Sequence, residues 1–540
     1  MKEVVNVLWF RHGLRFHDNA SLHAAADGSG AKILPIYIFD GECTVTKRCQ
    51  YNRMKFMLEC LEDLDNSLKE VGARFYCFKG SPLEVLGNLH KVLNVRKVCF
   101  DMDPEAIWKE RDASVKAWCD DNGVMCQESL GATLWDGREI IAANGGDPPL
   151  TYSKFCIVTR GLPAPRRPYP SLDLTILPFI SLDEDLEAKM KIFPSIPSPE
   201  DLGKFKAEDT CKVYKGGETR ALKYFHNRML HEQDAFFKGS FLPNRRNPDI
   251  LCPPKSLSPD LKFGCISVTK FYWSVMDTYA KINKGQLGSY NLVSQLIWRE
   301  FFYTQAYNNP MYAKMEDNPI CVQIPWYSDD EALEKFNNAK TGFPFIDAGI
   351  RQIKKEGWCH HVIRSALVMF LTRGDLWLSW EKGFEMFMEY LIDADWAVNA
   401  GNWMYISSSA FEDALATTKC LNPAIYGKRV DPSGEYIKKY VPELANYPEK
   451  YIYEPSKAPL DVQKKSGCII GKDYPKPMVN HNEVSKRNKK TMMETADKLL
   501  KMNLGKEPEH MRPSDAPESQ LFLLRQESGE TSEEDLDDNN

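Results

Sequence analysis

The segment from Gly357 to Phe411 holds the densest set of residues able to do chemistry. It opens with Gly357-Trp358-Cys359-His360-His361-Val362-Ile363-Arg364, passes Trp377 and Trp380, and continues as Asp393-Ala394-Asp395-Trp396-Ala397-Val398-Asn399-Ala400-Gly401-Asn402-Trp403. His361 and Arg364 stand three apart and share a helix face. An arginine taken out of water requires a carboxylate, and Asp393 and Asp395 are at hand. Histidine and aspartate are also metal ligands. The spacing is not that of a zinc helix, however, and adjacent histidines on a helix point to different faces, which argues against a metal.

Two more stretches carry usable chemistry. Lys255-Ser256-Leu257-Ser258-Pro259 precedes Lys262-Phe263-Gly264. Hydroxyls and free backbone N–H groups before a helix suit a phosphate, although an ordinary N-cap uses the same residues. In Ser294-Gln295-Leu296-Ile297-Trp298-Arg299-Glu300-Phe301, the residues Gln295, Trp298 and Arg299 fall on neighbouring helix faces. A buried glutamine there needs partners for both ends of its amide; the plainer reading is a polar surface row with Trp298 in the core. The chain has 12 tryptophans and 11% aromatic residues, which suits a large core, a stacked-base site or an electron relay alike.

The elements that must position these residues change along the chain. Val4–Phe10 and Ile33–Phe39 read as buried strands, and Arg74–Phe78 and Lys97–Phe100 as further strands. Between them, Asn19–Ala26 and Met54–Val71 have helical spacing, with Asn19 as a cap. Strands alternating with helices predict a parallel, doubly wound sheet, here over residues 1–130. No GxGxxG or phosphate loop marks it as a nucleotide site. Residues 131–215 are rich in proline and read as a connector wrapping a surface. Residues 216–505 read as a large helical domain, with helices over Glu218–Phe237, Val268–Ile282, Leu292–Tyr307, Ala348–Lys355, His361–Thr372 and Gly383–Leu391. A tail, 506–540, holds Leu521-Phe522-Leu523-Leu524 and then an acidic end that predicts disorder.

Composition narrows the class. The chain's 540 residues allow two to four domains at roughly 150 residues each. A net charge of −6 gives no global reason to bind nucleic acid. Lys486, Arg487, Lys489 and Lys490 could serve nuclear import or a phosphate, but so short a run more often marks a solvated helix face. No apolar run approaches the ~20 residues of a membrane span, and no signal peptide follows Met1. The 15 cysteines lack CxxC spacing, as expected for reduced thiols in a cytosolic or nuclear protein.

Taken together, these stretches resemble the cryptochrome and DNA-photolyase family, from Trp9-Phe10-Arg11, Leu14-Arg15 and Asp18-Asn19 to Arg512-Pro513-Ser514. The specific matches are Gly216-Gly217-Glu218-Thr219, Leu257-Ser258-Pro259, Trp298-Arg299-Glu300, Thr341-Gly342-Phe343-Pro344, Asp393-Ala394-Asp395-Trp396 and Gly401-Asn402-Trp403. The pattern is most similar to the animal branch, the insect-type light-sensing cryptochromes and (6-4) photolyases. The resemblance implies an α/β domain followed by an all-α domain that buries FAD. It implies that Arg228, Ser256, Leu257 and Ser258 contact the phosphates. It further implies that Gln295, Trp298, His361, Arg364, Asp393, Asp395 and Asn402 line the flavin and adenine.

The resemblance also assigns electron-transfer roles. Trp403 is the residue next to the flavin, Trp380 the middle donor and Trp377 a terminal donor. Asn399 faces flavin N5, where an amide can accept from a protonated nitrogen; many insect cryptochromes carry Cys there and the photolyases Asn. Family members place another tryptophan before the Thr-Gly-Phe-Pro turn, and this chain has Phe336. Trp377 takes over, a nearby tyrosine substitutes, or charge separation is shorter-lived.

The (6-4) photolyases use two histidines four apart for acid–base work on the lesion; here His361 is followed at that distance by Ser365, whose hydroxyl does not titrate near neutrality. The expectation is therefore a blue-light photoreceptor rather than an enzyme, with His361 adjusting its proton or hydrogen bonds as the tail around Phe522 releases. Clock or signalling proteins are the implied partners, a ubiquitin ligase among them, with a homodimer allowed, weak or no DNA binding and a cytoplasmic and nuclear location. The competing readings are a (6-4) repair enzyme and a light-independent clock repressor.

Overall fold

The computed structural model describes residues 2–41, 49–103, 105–204, 214–237, 250–251, 256–283, 291–411 and 420–502. Five strands, β1 (Val4–Phe10), β2 (Lys32–Phe39), β3 (Tyr76–Lys79), β4 (Asn94–Asp101) and β5 (Met125–Ser129), form one sheet in the order β3-β2-β1-β4-β5. Every pairing is parallel, with Val7 opposite Leu34 and Val98. Strand periodicity of two sorts the side chains between the faces. Leu8 and Phe10 join Met57, Leu61 and Leu64 of the Tyr51–Lys69 helix on one face. Val5, Val7 and Trp9 join Val85, Leu86 and Leu89 of the Pro82–Val92 helix and Val115 of the Lys109–Asp121 helix on the other. Both faces are covered, as an all-parallel sheet requires. Asn19 caps the first helix, its side chain accepting from the Leu22 amide.

The carboxyl ends of the strands meet the helical domain, the usual ligand side of such sheets. Glu218 ties them together, accepting from the Phe16 and His17 amides at 2.8 and 2.9 Å. Arg53 does the same from the Tyr51–Lys69 helix, donating to the carbonyls of Met388 (2.9 Å) and Ala394 (2.7 Å). Gly264 adopts φ +66, a left-handed conformation that suits glycine, and a Cβ there would sit 2.7 Å from the Gly13 Cα.

The proline-rich 131–215 stretch carries secondary structure of its own. It contains helices Gly137–Ala143, Tyr152–Gly161 and Glu184–Lys189. Tyr152 packs its ring 4.9 Å from Trp298 of the helical domain, whereas Ile180 donates its amide to the Ile33 carbonyl of β2. The same stretch therefore closes both domains. The helix expected over His361–Thr372 stops at Met369 and passes into a π-turn at Phe370–Gly374, with Thr372 non-helical. The turn swings the chain so that Trp377, at φ +56, faces inward.

Candidate functional site

The helix Trp396–Ile406 organises the site. Asp395 caps it, accepting from the Val398 amide at 3.3 Å. Trp403 is fully buried on this helix, its ring 4.9 Å from that of Phe387. Gly383 makes room for that ring: a Cβ there would lie 1.9 Å from the Trp403 Cη2. Gly401 likewise lets Phe302 approach, a Cβ there meeting its ring at 2.2 Å. Asn399 donates from Nδ2 to the Phe384 carbonyl at 3.3 Å, which leaves its oxygen and its second N–H for a ligand. Asn402 donates to the Val398 carbonyl at 2.8 Å and accepts from Trp298 Nε1 at 3.3 Å.

A second cluster joins three distant segments. Arg364 donates from Nη2 to Asp393 Oδ2 at 2.9 Å and from Nε to the Cys359 carbonyl at 3.0 Å. Asp393 Oδ2 also accepts from Ser258 Oγ at 2.5 Å, and Ser258 Oγ lies 2.8 Å from Ser256 Oγ. Burial opposes the charge on Arg364, but Asp393 outweighs it and the guanidinium pKa is raised. Burial pushes the neighbouring Cys359 thiol up to about 12. Asp393 Oδ1 and the Tyr214 hydroxyl are buried without a protein partner among the described residues. Such atoms need a polar complement, and the N–H and O–H groups of a flavin nucleotide supply one. The residues present fit FAD.

Several expectations are altered by the tertiary arrangement. The adjacent histidines do not diverge: their ring centroids lie 4.2 Å apart. His360 is the N-cap rather than a helical residue, at φ −60 and ψ 147, and its ring accepts from the Val362 amide. The serines are not N-caps either. Leu257 occupies that position without a side-chain cap, and Ser258 turns its hydroxyl to Asp393. Asp395 has both oxygens engaged, by Val398 and by the Tyr303 hydroxyl, so its first task is to hold the helix. Its pKa is lowered: burial opposes the charge, and Lys262 and Arg299 overcome it. Gln295 and His361 are exposed and Arg228 is half-buried. Among the described residues no group of three or more His, Cys, Asp or Glu could hold a metal.

Trp380 and Trp377 are fully buried. Phe336 is too, stacked at 6.3 Å and 15° on Phe370. Ser365 donates back to the His361 carbonyl at 3.1 Å.

Sequence reasoning missed a buried charged network behind the site. Glu105 accepts from the Trp396 amide at 2.9 Å and faces Lys262 at 3.8 Å. Burial raises the Glu105 pKa against the pull of Lys262. Lys262 lay inside a quoted motif, but Glu105 follows β4 in an irregular stretch where no periodicity marks it. Tyr214 was also missed; its ring lies 5.9 Å from Trp358.

Residues 292–494 match the FAD binding domain of DNA photolyase, and residues 6–169 match DNA photolyase. The chain is 46% identical over 535 residues to Cryptochrome-1 of Aedes aegypti, covering 96% of this chain and 98% of that one. It is 42% identical over 534 residues to Cryptochrome-1 of Drosophila melanogaster, covering 96% and 98%. Among solved structures, a class III photolyase from Agrobacterium tumefaciens is similar with a TM-score of 0.76 at 25% identity, covering 92% of this chain and 98% of that one. A Synechocystis cryptochrome shares the fold with a TM-score of 0.75 at 23% identity, covering 91% and 99%.

Proposed function

The chain belongs to the cryptochrome and DNA-photolyase family and binds FAD, and on that premise we propose that it is a blue-light photoreceptor. FAD when bound supplies a blue-absorbing ring that accepts electrons. Trp403 would supply it an electron, and Trp380 would refill Trp403. Arg364, held by Asp393, would set a fixed positive charge beside the bound group. Asn399 would present its amide to the bound group and could hold a proton there. Ser256, Leu257, Ser258 and Arg228 would hold the phosphates, and Gln295, Trp298, Asp395 and Asn402 would shape the rest of the cradle.

The observation that carries a receptor over a repair enzyme is Ser365. Its hydroxyl is committed to the His361 carbonyl at 3.1 Å and cannot exchange a proton near neutral pH. His361 alone is left to respond to the new charge, by proton or hydrogen bond. The signal then passes to the tail around Phe522, which lies outside the described residues, and to partner proteins of the clock or a related pathway, in cytoplasm and nucleus. A local charge change acting on a bistable segment is sufficient for such a switch. The second reading, (6-4) lesion repair, is favoured by Asn399 and His361.

One experiment separates them. Protein purified in darkness is examined for bound FAD, illuminated, and assayed for photoreduction and for lesion repair. Photoreduction without repair supports the receptor, repair supports the second reading, and neither supports a light-independent repressor. Dark and light proteolysis that cut equally around Phe522 would refute the tail release.

A further inference from the structure

Phe336 stands where the family resemblance expects a third tryptophan, and a phenyl ring is far harder to oxidise than an indole. With a phenyl ring there, the resemblance leaves Trp377 as the terminal indole of the relay. Trp377 is itself fully buried, so it cannot be the place where the electron vacancy meets water. Two rings touch it. Trp326 lies 5.1 Å away at 53° and Tyr327 lies 6.4 Å away at 49°.

This contact is held by the backbone. Trp377 Nε1 donates to the Pro325 carbonyl at 2.9 Å. The Tyr327 amide donates to the Trp377 carbonyl at 2.8 Å, and Tyr327 bridges to Leu378. Trp377 adopts φ +56, a conformation costly for a bulky residue. Its amide is fixed to the Thr372 carbonyl at 2.8 Å. The fold thus bears local strain to press this indole against Trp326 and Tyr327. Beyond them the surface is reached: Tyr327 is 44% exposed, and the Arg487 guanidinium sits 5.2 Å from its ring centroid.

We propose that Trp326 and Tyr327 carry the vacancy from Trp377 to solvent and that it comes to rest as a neutral tyrosyl radical at Tyr327. Trp326 passes one electron to the oxidised Trp377, and Tyr327 passes one electron to the oxidised Trp326. The Tyr327 phenol proton leaves to water, so each step moves one electron and the last releases one proton. The oxidant is the light-driven vacancy, so the proposal rests on the photoreduction reading above. Trp377 donates its N–H to a peptide carbonyl, and Trp326 Nε1 is buried without a partner among the described residues. Neither has a base to take its proton, so both stay cationic and pass the charge on. The Arg487 charge attracts the neutral ring and repels a cationic one, so the vacancy settles on Tyr327 only once the proton has gone.

The test uses the full chain with FAD bound. Electron paramagnetic resonance after illumination is expected to show a tyrosyl radical whose lines collapse when tyrosine is ring-deuterated. A nitroso spin trap is expected to map to Tyr327 by mass spectrometry. Both signals are lost in Tyr327→Phe, a change that keeps the ring, and a tryptophan radical is seen in their place. Trp326→Phe, checked for folding by circular dichroism, is expected to lower the tyrosyl yield. A tyrosyl signal that persists in Tyr327→Phe, or a tryptophan radical that ends without any tyrosyl stage in the unsubstituted protein, overturns the exit route while leaving photoreduction intact. No radical at all in FAD-bound protein overturns both.

Discussion

The Arg364–Asp393 pair gives the most direct handle on the site. Asp393→Asn keeps the shape of the side chain and removes its charge. In the parent, one carboxylate oxygen serves both Arg364 and Ser258, and the Asp393 side chain is 3% exposed while that of Arg364 is 24% exposed. Removing one partner of a buried pair leaves the other charge uncompensated, at a cost of about 3–5 kcal/mol. The residual exposure of Arg364 moves the expectation to the lower end, about 3 kcal/mol, or roughly a hundredfold in the folded-to-unfolded ratio. Urea unfolding in darkness at fixed free FAD measures it, because bound ligand adds its own stabilisation by mass action. FAD content by absorbance is read alongside and is expected to fall. A cycle with Arg364→Met isolates the pair: the double variant should be less unstable than the sum of the singles, since no orphan charge remains. An Asp393→Asn protein within about 0.5 kcal/mol of the parent, a surface-like effect, and with full FAD would refute the claim that this ion pair organises the site.

Three further predictions follow from other parts of the molecule. Gly383→Ala drives a Cβ to 1.9 Å from the Trp403 ring; overpacking of about 1–3 kcal/mol is expected, read by urea unfolding, together with slower photoreduction as the ring is displaced. Glu300 is pushed up from 4.5 to about 7 by burial, against the pull of Arg299. A carboxyl group with a raised pKa favours the folded state while protonated, so its contribution is present below pH ~4.5 and is lost as pH rises through about 7. Glu300→Gln should flatten that part of the stability–pH curve by about 3 kcal/mol, and an unchanged slope would show that Glu300 is not its source. Trp380→Phe should abolish long-lived photoreduction while FAD stays bound, as recorded by absorbance under blue light.

What could be read from the chain alone was local. The strands β1 and β2 declared themselves as apolar runs, and the 218–237 helix by its spacing, because periodicity is a property of neighbours. The His360–His361 expectation failed for a related reason: it assumed that both residues were helical, whereas His360 is the cap and bends its ring back. In the 131–215 stretch, prolines mark turns without saying how much helix lies between them. Its helices are stabilised by contacts such as Tyr152 on Trp298, which no local pattern contains.

By itself the sequence determined the family, the cofactor class and the identities of Ser365, Phe336 and Asn399, since a motif is a matter of order and type. The tertiary structure alone decided which groups meet. Ser258 reaches Asp393 across 135 positions, Trp396 binds Glu105 across 291, and Trp377 donates to the Pro325 carbonyl across 52. Contacts over such separations depend on how whole elements pack, and packing is set by the summed burial of many side chains rather than by the residues that touch.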